Sequence, residues 1–341
     1  MSEKMVTPKD MKSAIVKGIR ATLLSSGSAT KVELSEKLGI SFPTISKCIA
    51  RMEKAGEVFS AGLDDSSGGR RAQRYAYHPD YRLVATLFLE KTETHYTVYN
   101  AVGEVKEKGL CSGLLQDGIE MLARQIEALI KRHPKIRSLA FGVPGAVNDG
   151  RIIHIPGYER FQNFDLKGFV EARFALPAIV ENDMNAAVLG YSDKLELCEN
   201  HSLVYLYFGQ NGPGAGILVN GKVVRGSTSF SGEVSFIPLY DRRNFQQAIT
   251  NPEGVPAMQD DIGVDAVSRL VSTFAAILNP NAVIFCRDEV TEELLDAIVT
   301  RSASYISKEH LPTVAVSDWK EDYLHGLKRL GLDLLIAAND D

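Results

Sequence analysis

Cysteine is scarce and scattered, with only Cys48, Cys111, Cys198 and Cys286 in 341 residues. They form no CxxC pair and no zinc-ligand spacing, so a disulfide framework and a zinc knuckle are excluded and a reducing cytosol is the expected setting. Long apolar runs are also missing. No stretch approaches the roughly 18 residues that span a bilayer. The N-terminus lacks the basic, then apolar, then small order of a secretory signal. The expectation is a cytoplasmic protein without membrane contact. Charge of one sign is not in excess over the whole chain, which carries −5. It is uneven, however. Residues 1–80 hold 13 Lys/Arg against 9 Asp/Glu, about +4, which leaves about −9 on the rest. A basic head on an acidic body fits a nucleic-acid-binding module joined to a domain that does not bind nucleic acid. The length allows two or three domains with proper cores.

Residues 30–56 organise the head. Thr30 and Glu33 have the spacing of a capping box, and Val32, Leu34 and Leu38 supply an apolar stripe. Gly39 stops that helix. Ser41 is placed to cap a second helix, with Pro43 in its first turn, where a missing N–H is harmless. Ile45, Ile49 and Met52 are expected inward, leaving Thr44, Ser46, Lys47 and Arg51 outward. This is the pattern of a helix-turn-helix, whose second helix enters the DNA major groove. The plainer reading is a helical hairpin with a polar face. Ser41, Thr44 and Ser46 at the start of the second helix, and the hairpin that follows, favour the DNA-binding one. Residues 57–62 read as extended, 64–69 as a Gly-rich turn, and 70–77 as the returning strand. Arg70, Arg71 and Arg74 beside that tip suit phosphate contacts or insertion into a narrow minor groove. A helix over 10–26 (Met11, Ile15, Ile19, Leu23 and Leu24 on one side) completes a three-helix winged module. His78-Pro79-Asp80 is the expected boundary.

The body reads as two repeats of one unit. Strands are expected at 83–90, 95–99 and 104–110, then a helix at 117–133, a strand at 136–143, a helix at 166–174 and a strand at 178–180. Residues 184–191 open the next helix. The second unit has strands at 203–208, 214–219 and 222–225, with Asn220-Gly221 as a type I′ turn. A helix at 263–278, a strand at 282–286, a helix at 292–307, a strand at 313–317 and a helix at 323–337 follow. Three strands and then alternating helices and strands, twice over, imply an α/β protein of two lobes facing a cleft.

Four segments in this order carry a resemblance. They are Phe141-Gly-Val-Pro-Gly-Ala-Val, Leu176-Pro-Ala-Ile-Val-Glu-Asn-Asp-Met-Asn-Ala-Ala, Tyr207-Phe-Gly-Gln-Asn-Gly-Pro-Gly-Ala-Gly-Ile, and Arg225-Gly-Ser-Thr-Ser-Phe-Ser-Gly-Glu-Val-Ser-Phe-Ile-Pro. Together with the winged head they resemble the ROK family of sugar kinases and sugar-responsive repressors, over nearly the whole chain. The resemblance implies a winged helix-turn-helix (α+β), residues 1–80, followed by a two-lobed actin/hexokinase-like (ribonuclease H-like) α/β ROK domain. Its first lobe would be 81–180 plus 316–341 and its second 181–315. It also implies ligand-binding roles for Gly145, Asn182, Asp183 and Glu233. Asp183 stands where the family keeps its catalytic base. Read without the resemblance, Asn182-Asp183 is a turn or, in preference, a helix cap, with Asp183 capping at Met184.

The phosphate side departs from the family pattern. Phe88, Glu90 and Lys91 replace an aspartate and two glycines of the first phosphate loop, removing the close backbone approach that phosphate needs. Gln210, Asn211 and Pro213 alter the second loop, and Pro213 lacks an N–H. Phe236 stands where the family has a histidine, so it is expected to stack on a sugar face or fill the site. No metal, cofactor or catalytic residue is assigned. The expected function is a DNA-binding regulator, a repressor of sugar-metabolism genes, whose partners are a double-stranded operator and a sugar or sugar-phosphate effector. A homodimer, or a dimer of dimers, would set half-sites about 10 bp or a multiple apart. The alternatives are an active ATP-dependent sugar kinase with a regulatory head, and a regulator that answers to a protein partner.

Overall fold

The computed structural model describes residues 7–338 except 65–70, 91, 156, 197–199, 210–211 and 252–256. The head opens with helix α1 (Pro8–Ser26), started by a capping box between Thr7 and Asp10. Strand β1 (Ala29–Thr30) leads into α2 (Lys31–Leu38), where Thr30 and Glu33 form the expected box and Gly39 (φ 63°) ends the helix. Helix α3 (Phe42–Lys54) follows, then the wing strands β2 (Val58–Leu63) and β3 (Gln73–Tyr77), with β3 between β1 and β2. Ile19, Leu34, Ile45 and Ile49 are fully buried where the three helices meet. Met11 and Val32, expected inward, are 62% and 48% exposed. Each lies in the first turn of its helix, outside the layer where the helices pack.

The first five-stranded sheet contains β4 (Leu83–Leu89), β5 (Glu93–Asn100) and β6 (Val105–Ser112), all antiparallel. Helices α4 (Leu114–Asp117) and α5 (Ile119–Arg132) return the chain to β7 (Ile136–Val143), parallel to β4. Strands β8 (Ala146–Asn148), β9 (Arg151–His154) and β10 (Phe164–Asp165) form a small sheet that the residue pattern did not predict, because each is too short to show alternation. Helix α6 (Leu166–Phe174) and β11 (Ala178–Asn182) complete the order β11-β7-β4-β5-β6. Helix α7 (Asp183–Lys194) leads to the second lobe.

That lobe repeats the plan with β12 (Leu203–Tyr207), β13 (Gly214–Val219) and β14 (Lys222–Val223). Both turn residues between β13 and β14, Asn220 (φ 49°) and Gly221 (φ 72°), have the positive φ of a type I′ turn. The pair β15 (Pro238–Tyr240) and β16 (Arg243–Asn244) precedes α8 (Phe245–Ile249) and α9 (Asp261–Leu278). Strand β17 (Ala282–Cys286), α10 (Glu292–Ser302) and β18 (Thr313–Ser317) give the order β14-β13-β12-β17-β18, the same as in the first lobe. Helix α10 stops five residues earlier than expected, and the turn after it sets the Tyr305 hydroxyl on Asp265. Helix α11 (Trp319–Ala337) closes the chain.

Helix α7 packs on the second sheet, and the C-terminal helix α11 returns to pack on the first. A Cβ on Gly216 of β13 would lie 2.0 Å from the Met184 carbonyl of α7, and one on Gly331 of α11 would lie 2.8 Å from Val84 of β4. Helices α7 and α11 also touch backbone to backbone. A Cβ on Gly190 would fall 1.8 Å from the Asp322 carbonyl, and one on Gly326 would fall 1.9 Å from that of Ala186. Only glycine permits this approach. The head is packed on the body rather than tethered, since its core includes Val84, Tyr99, Ala101 and Leu335. A buried ionic cluster seals the joint. Arg20 lies 2.5 Å from Glu57, and the Ala338 carbonyl accepts from both Arg20 (2.6 Å) and Arg82 (2.9 Å). Among the described residues no helix is long and apolar enough to cross a membrane.

Candidate functional sites in the cleft and the winged head

The end of β11 and the start of α7 place Asn182 and Asp183 at the mouth between the lobes. The first lobe brings Gly145 and His154 to them, and the second brings Tyr207, Arg225 and Glu233, so that all line one pocket between the lobes. A concave site with a few convergent polar groups is the form a small-molecule site takes. Asn182, not Asp183, caps α7: its Oδ1 accepts from Asn185 N–H at 3.0 Å. Its Nδ2 donates to the Gly145 carbonyl and to Asp183 Oδ1, both at 2.9 Å. Asp183 Oδ1 also accepts from Met184 N–H at 2.8 Å. With the cap supplied by its neighbour, Asp183 keeps its other oxygen available to the cleft. Burial, reinforced by the nearby Glu233, pushes its carboxyl up to about 7. Burial also raises Glu233, while His154 works against that shift. Gly145 has a backbone role, since a Cβ there would lie 2.2 Å from the His154 carbonyl.

The segment from Arg225 to Ser235 closes this half. Gly232 accepts from Ala215 N–H at 2.8 Å, and Ser235 Oγ donates to the Pro213 carbonyl at 2.7 Å. The Arg225 guanidinium pairs across the lobes with Glu181, which is buried and also accepts from Asn185. Sequence reasoning missed Glu181, Arg225 and His154, because nothing in their local pattern shows that three distant segments meet. Phe236 corrects an expectation. It neither stacks over the cleft nor fills it, but is 56% exposed and lies 5.4 Å from Phe230. The serines flanking these rings turn inward, so the rings turn outward.

The other half, around Phe88 and Tyr207, is filled with aromatic rings. Phe88 is buried, stacks on His95 at 5.5 Å and meets Tyr323 edge-on at 4.3 Å. Trp319, the only tryptophan, stacks on Tyr207 at 4.5 Å with an 11° tilt and joins the same cluster through Tyr323. Both oxygens of Glu289 accept from Phe208 N–H, at 3.0 and 2.9 Å. The Phe208 amide is thus already taken by a carboxylate, and burial raises that carboxyl to about 7. The Tyr207 ring covers the next residue, since a Cβ on Gly209 would lie 2.1 Å from it. Glu90, whose carboxyl burial raises, Glu93 and His95 bring ligand-type atoms within 4.8 Å of one another. The Lys320 ammonium stands 3.1 Å from His95 Nε2 and 3.5 Å from Glu93, so this group already holds a positive charge.

In the head, Lys47 and Arg51 are exposed and Thr44 and Ser46 half-buried on the outer side of α3. Ser41 occupies the cap position, yet its hydroxyl bonds Thr44 Oγ1 at 2.9 Å rather than the backbone. Arg71 is exposed beside the wing. Arg74 is not free at the tip: it donates to Asp64 Oδ1 (2.9 Å), Glu33 Oε1 (3.3 Å) and both oxygens of Ser28. Burial on β3 aims it across the small sheet, a direction its closeness to the tip in sequence does not reveal. Arg70, with Lys91, Gln210 and Asn211, lies outside the described residues.

A winged helix-turn-helix head on a duplicated α/β body is the class of protein these elements define. The ROK family profile matches residues 91–254, and a winged helix-turn-helix DNA-binding profile matches 17–56. The chain carries a ROK family domain behind a winged helix-turn-helix head. A xylose repressor of Caldicellulosiruptor bescii is 27% identical over 249 residues, covering 70% of this chain and 61% of the repressor. The match therefore spans about three fifths of that relative. A ROK family transcriptional regulator, a homolog of the E. coli MLC protein, superimposes with TM-score 0.72 at 16% identity, covering 96% of this chain and 98% of its own. A ROK hexokinase from Thermus thermophilus gives TM-score 0.59 at 19% identity over 74% of this chain and 97% of its own. At these identities the two structures establish the fold.

Proposed function

We propose that the chain is a DNA-binding transcriptional repressor whose cleft senses a sugar or sugar derivative and does not transfer phosphate. The contrast within the cleft carries this reading. One half is open and lined with unspent hydrogen-bonding groups on Asp183, Glu233 and His154, while the other is packed with aromatic rings and self-paired charges. Phosphoryl transfer needs backbone donors and cations aimed at a phosphate. Here the Phe208 donor is satisfied by Glu289, and Lys320 by His95 and Glu93. The relative named a xylose repressor makes xylose the first sugar to test.

In this proposal the DNA-binding head is residues 1–80, the first lobe 81–180 with 316–341, and the second lobe 181–315. Thr44, Ser46, Lys47 and Arg51 meet the operator, with Arg70 and Arg71 at the wing, while Arg74 stabilises the wing from within. Asn182 positions Asp183, and Asp183 and Glu233 accept from sugar hydroxyls. The protein acts in the cytoplasm as a homodimer or dimer of dimers. Helix α11 links cleft to head: Trp319 stacks on Tyr207, which lines the cleft, and Leu335 lies in the head core. A ligand that prefers one lobe arrangement thereby shifts the heads.

The test is thermal unfolding of the full chain with xylose, glucose, amino sugars, sugar phosphates and ATP. A stabilising shift with one sugar, lost in Asp183→Ala, and no shift with ATP are expected. Sugar-dependent phosphate release from ATP that needs Asp183 overturns the non-catalytic reading. The kinase reading is favoured by Asp183 alone, whose carboxyl near 7 suits a general base.

A further inference from the structure

The leading end of α3 presents an aromatic ring that the fold does not use. Phe42 is the first residue of the helix and is 48% exposed. Other residues fill the structural roles here. Ser41 holds the cap position, and Pro43 fixes the backbone of the first turn. Ile40 and Ile45 stand where apolar side chains clamp a helix start, and both pack into the head core. Helical side chains lean toward the N-terminus, so the Phe42 ring projects ahead of the helix end. On the same side of the helix follow Ser46 and the exposed Ala50, while Lys47 and Arg51 are exposed further round its outer surface.

Phosphates and most base edges offer an exposed ring nothing apolar. The exception in the major groove is the thymine 5-methyl group. The N-terminal residues of a recognition helix are the ones that reach base edges. We propose that Phe42 packs on a thymine 5-methyl group, making one thymine in each half-site a determinant of operator choice. This rests on the reading of the head as a DNA-binding module. Lys47 and Arg51 then anchor the backbone while the ring reads the base.

The experiment begins with selection of binding duplexes from a random library by the full-length protein. Each thymine of a selected duplex is then replaced by uracil, which removes only the methyl group. At one position per half-site the wild-type protein should lose about four-fold in affinity, as expected for one buried methyl group. Phe42→Ala should lose a similar factor on the thymine duplex and nothing more on the uracil duplex. Its thermal midpoint should match the wild type, because the ring is exposed. A set of duplexes indifferent to every thymine-to-uracil change overturns the proposal while leaving DNA binding intact. So does an Ala variant whose loss simply multiplies with that of uracil. If selection enriches no duplex at all, the DNA-binding reading fails and the proposal with it.

Discussion

The two halves of the cleft are lined from the same two sheets, yet they have opposite characters. On the Asp183 side, close backbone approaches at Gly145 and Gly232 leave room, and Asn182 takes over the capping duty that would otherwise occupy Asp183. On the Phe88 side two of the described polar groups are matched within the chain: Phe208 N–H by Glu289, and Lys320 by His95 and Glu93. The space between is taken by Phe88, Tyr207, Trp319 and Tyr323. Aromatic burial stabilises the contact between the lobes on that side without any ligand. The half left unfilled is the half expected to respond to a small molecule.

Both halves depend on the α7–α11 crossing, so breaking it should have the largest effect. Gly326→Val drives a side chain into the Ala186 carbonyl and should cost about 3 kcal/mol of stability, read from the denaturant midpoint. Unchanged stability would mean the lobes are not joined there. The comparison itself is tested next. At hundredfold excess over its dissociation constant, a sensed sugar should stabilise the protein by about 2.7 kcal/mol. Asp183→Ala should abolish that shift and Glu289→Ala should not. Loss of the shift in both would erase the distinction between the halves.

A smaller effect is a pH dependence with one contribution from each half. Asp183 and Glu289 have carboxyls raised to about 7 from ordinary values of 3.8 and 4.5. Between those values and about 7 the folded chain holds protons that the unfolded chain has released. Stability should therefore fall as pH rises from about 4 to about 7 and level off above. Asp183→Asn and Glu289→Gln should each flatten part of that slope in thermal melts. The smallest effect lies outside the cleft. Lys47→Ala should reduce the salt dependence of DNA binding by about one phosphate contact. An unchanged slope would remove Lys47 from the interface.

Much of the fold was legible in the residues. The Thr30–Glu33 box, the Gly39 stop and the Asn220-Gly221 turn are local chemistry, and each formed as its sequence dictates. The repeated succession of strands and helices along the chain was legible because buried strands and amphipathic helices carry their own periods. Met11 and Val32 misled because periodicity does not tell where a helix leaves its packing partners. Phe236 misled because its position in a motif fixes where its backbone lies, not which side of the segment its ring takes.

By itself the sequence determined a winged head, a duplicated α/β body, and the placement of Asn182 and Asp183 at a strand-to-helix junction, since these follow from caps, turns and spacing over a few residues. The tertiary structure alone decided that Trp319 lies on Tyr207, that Glu289 takes the Phe208 amide, that Arg225 reaches Glu181, and that Arg74 is spent inside the wing. These partners lie from 10 to 112 residues apart along the chain. Only the folded backbone brings them within reach, and no local periodicity records such a meeting.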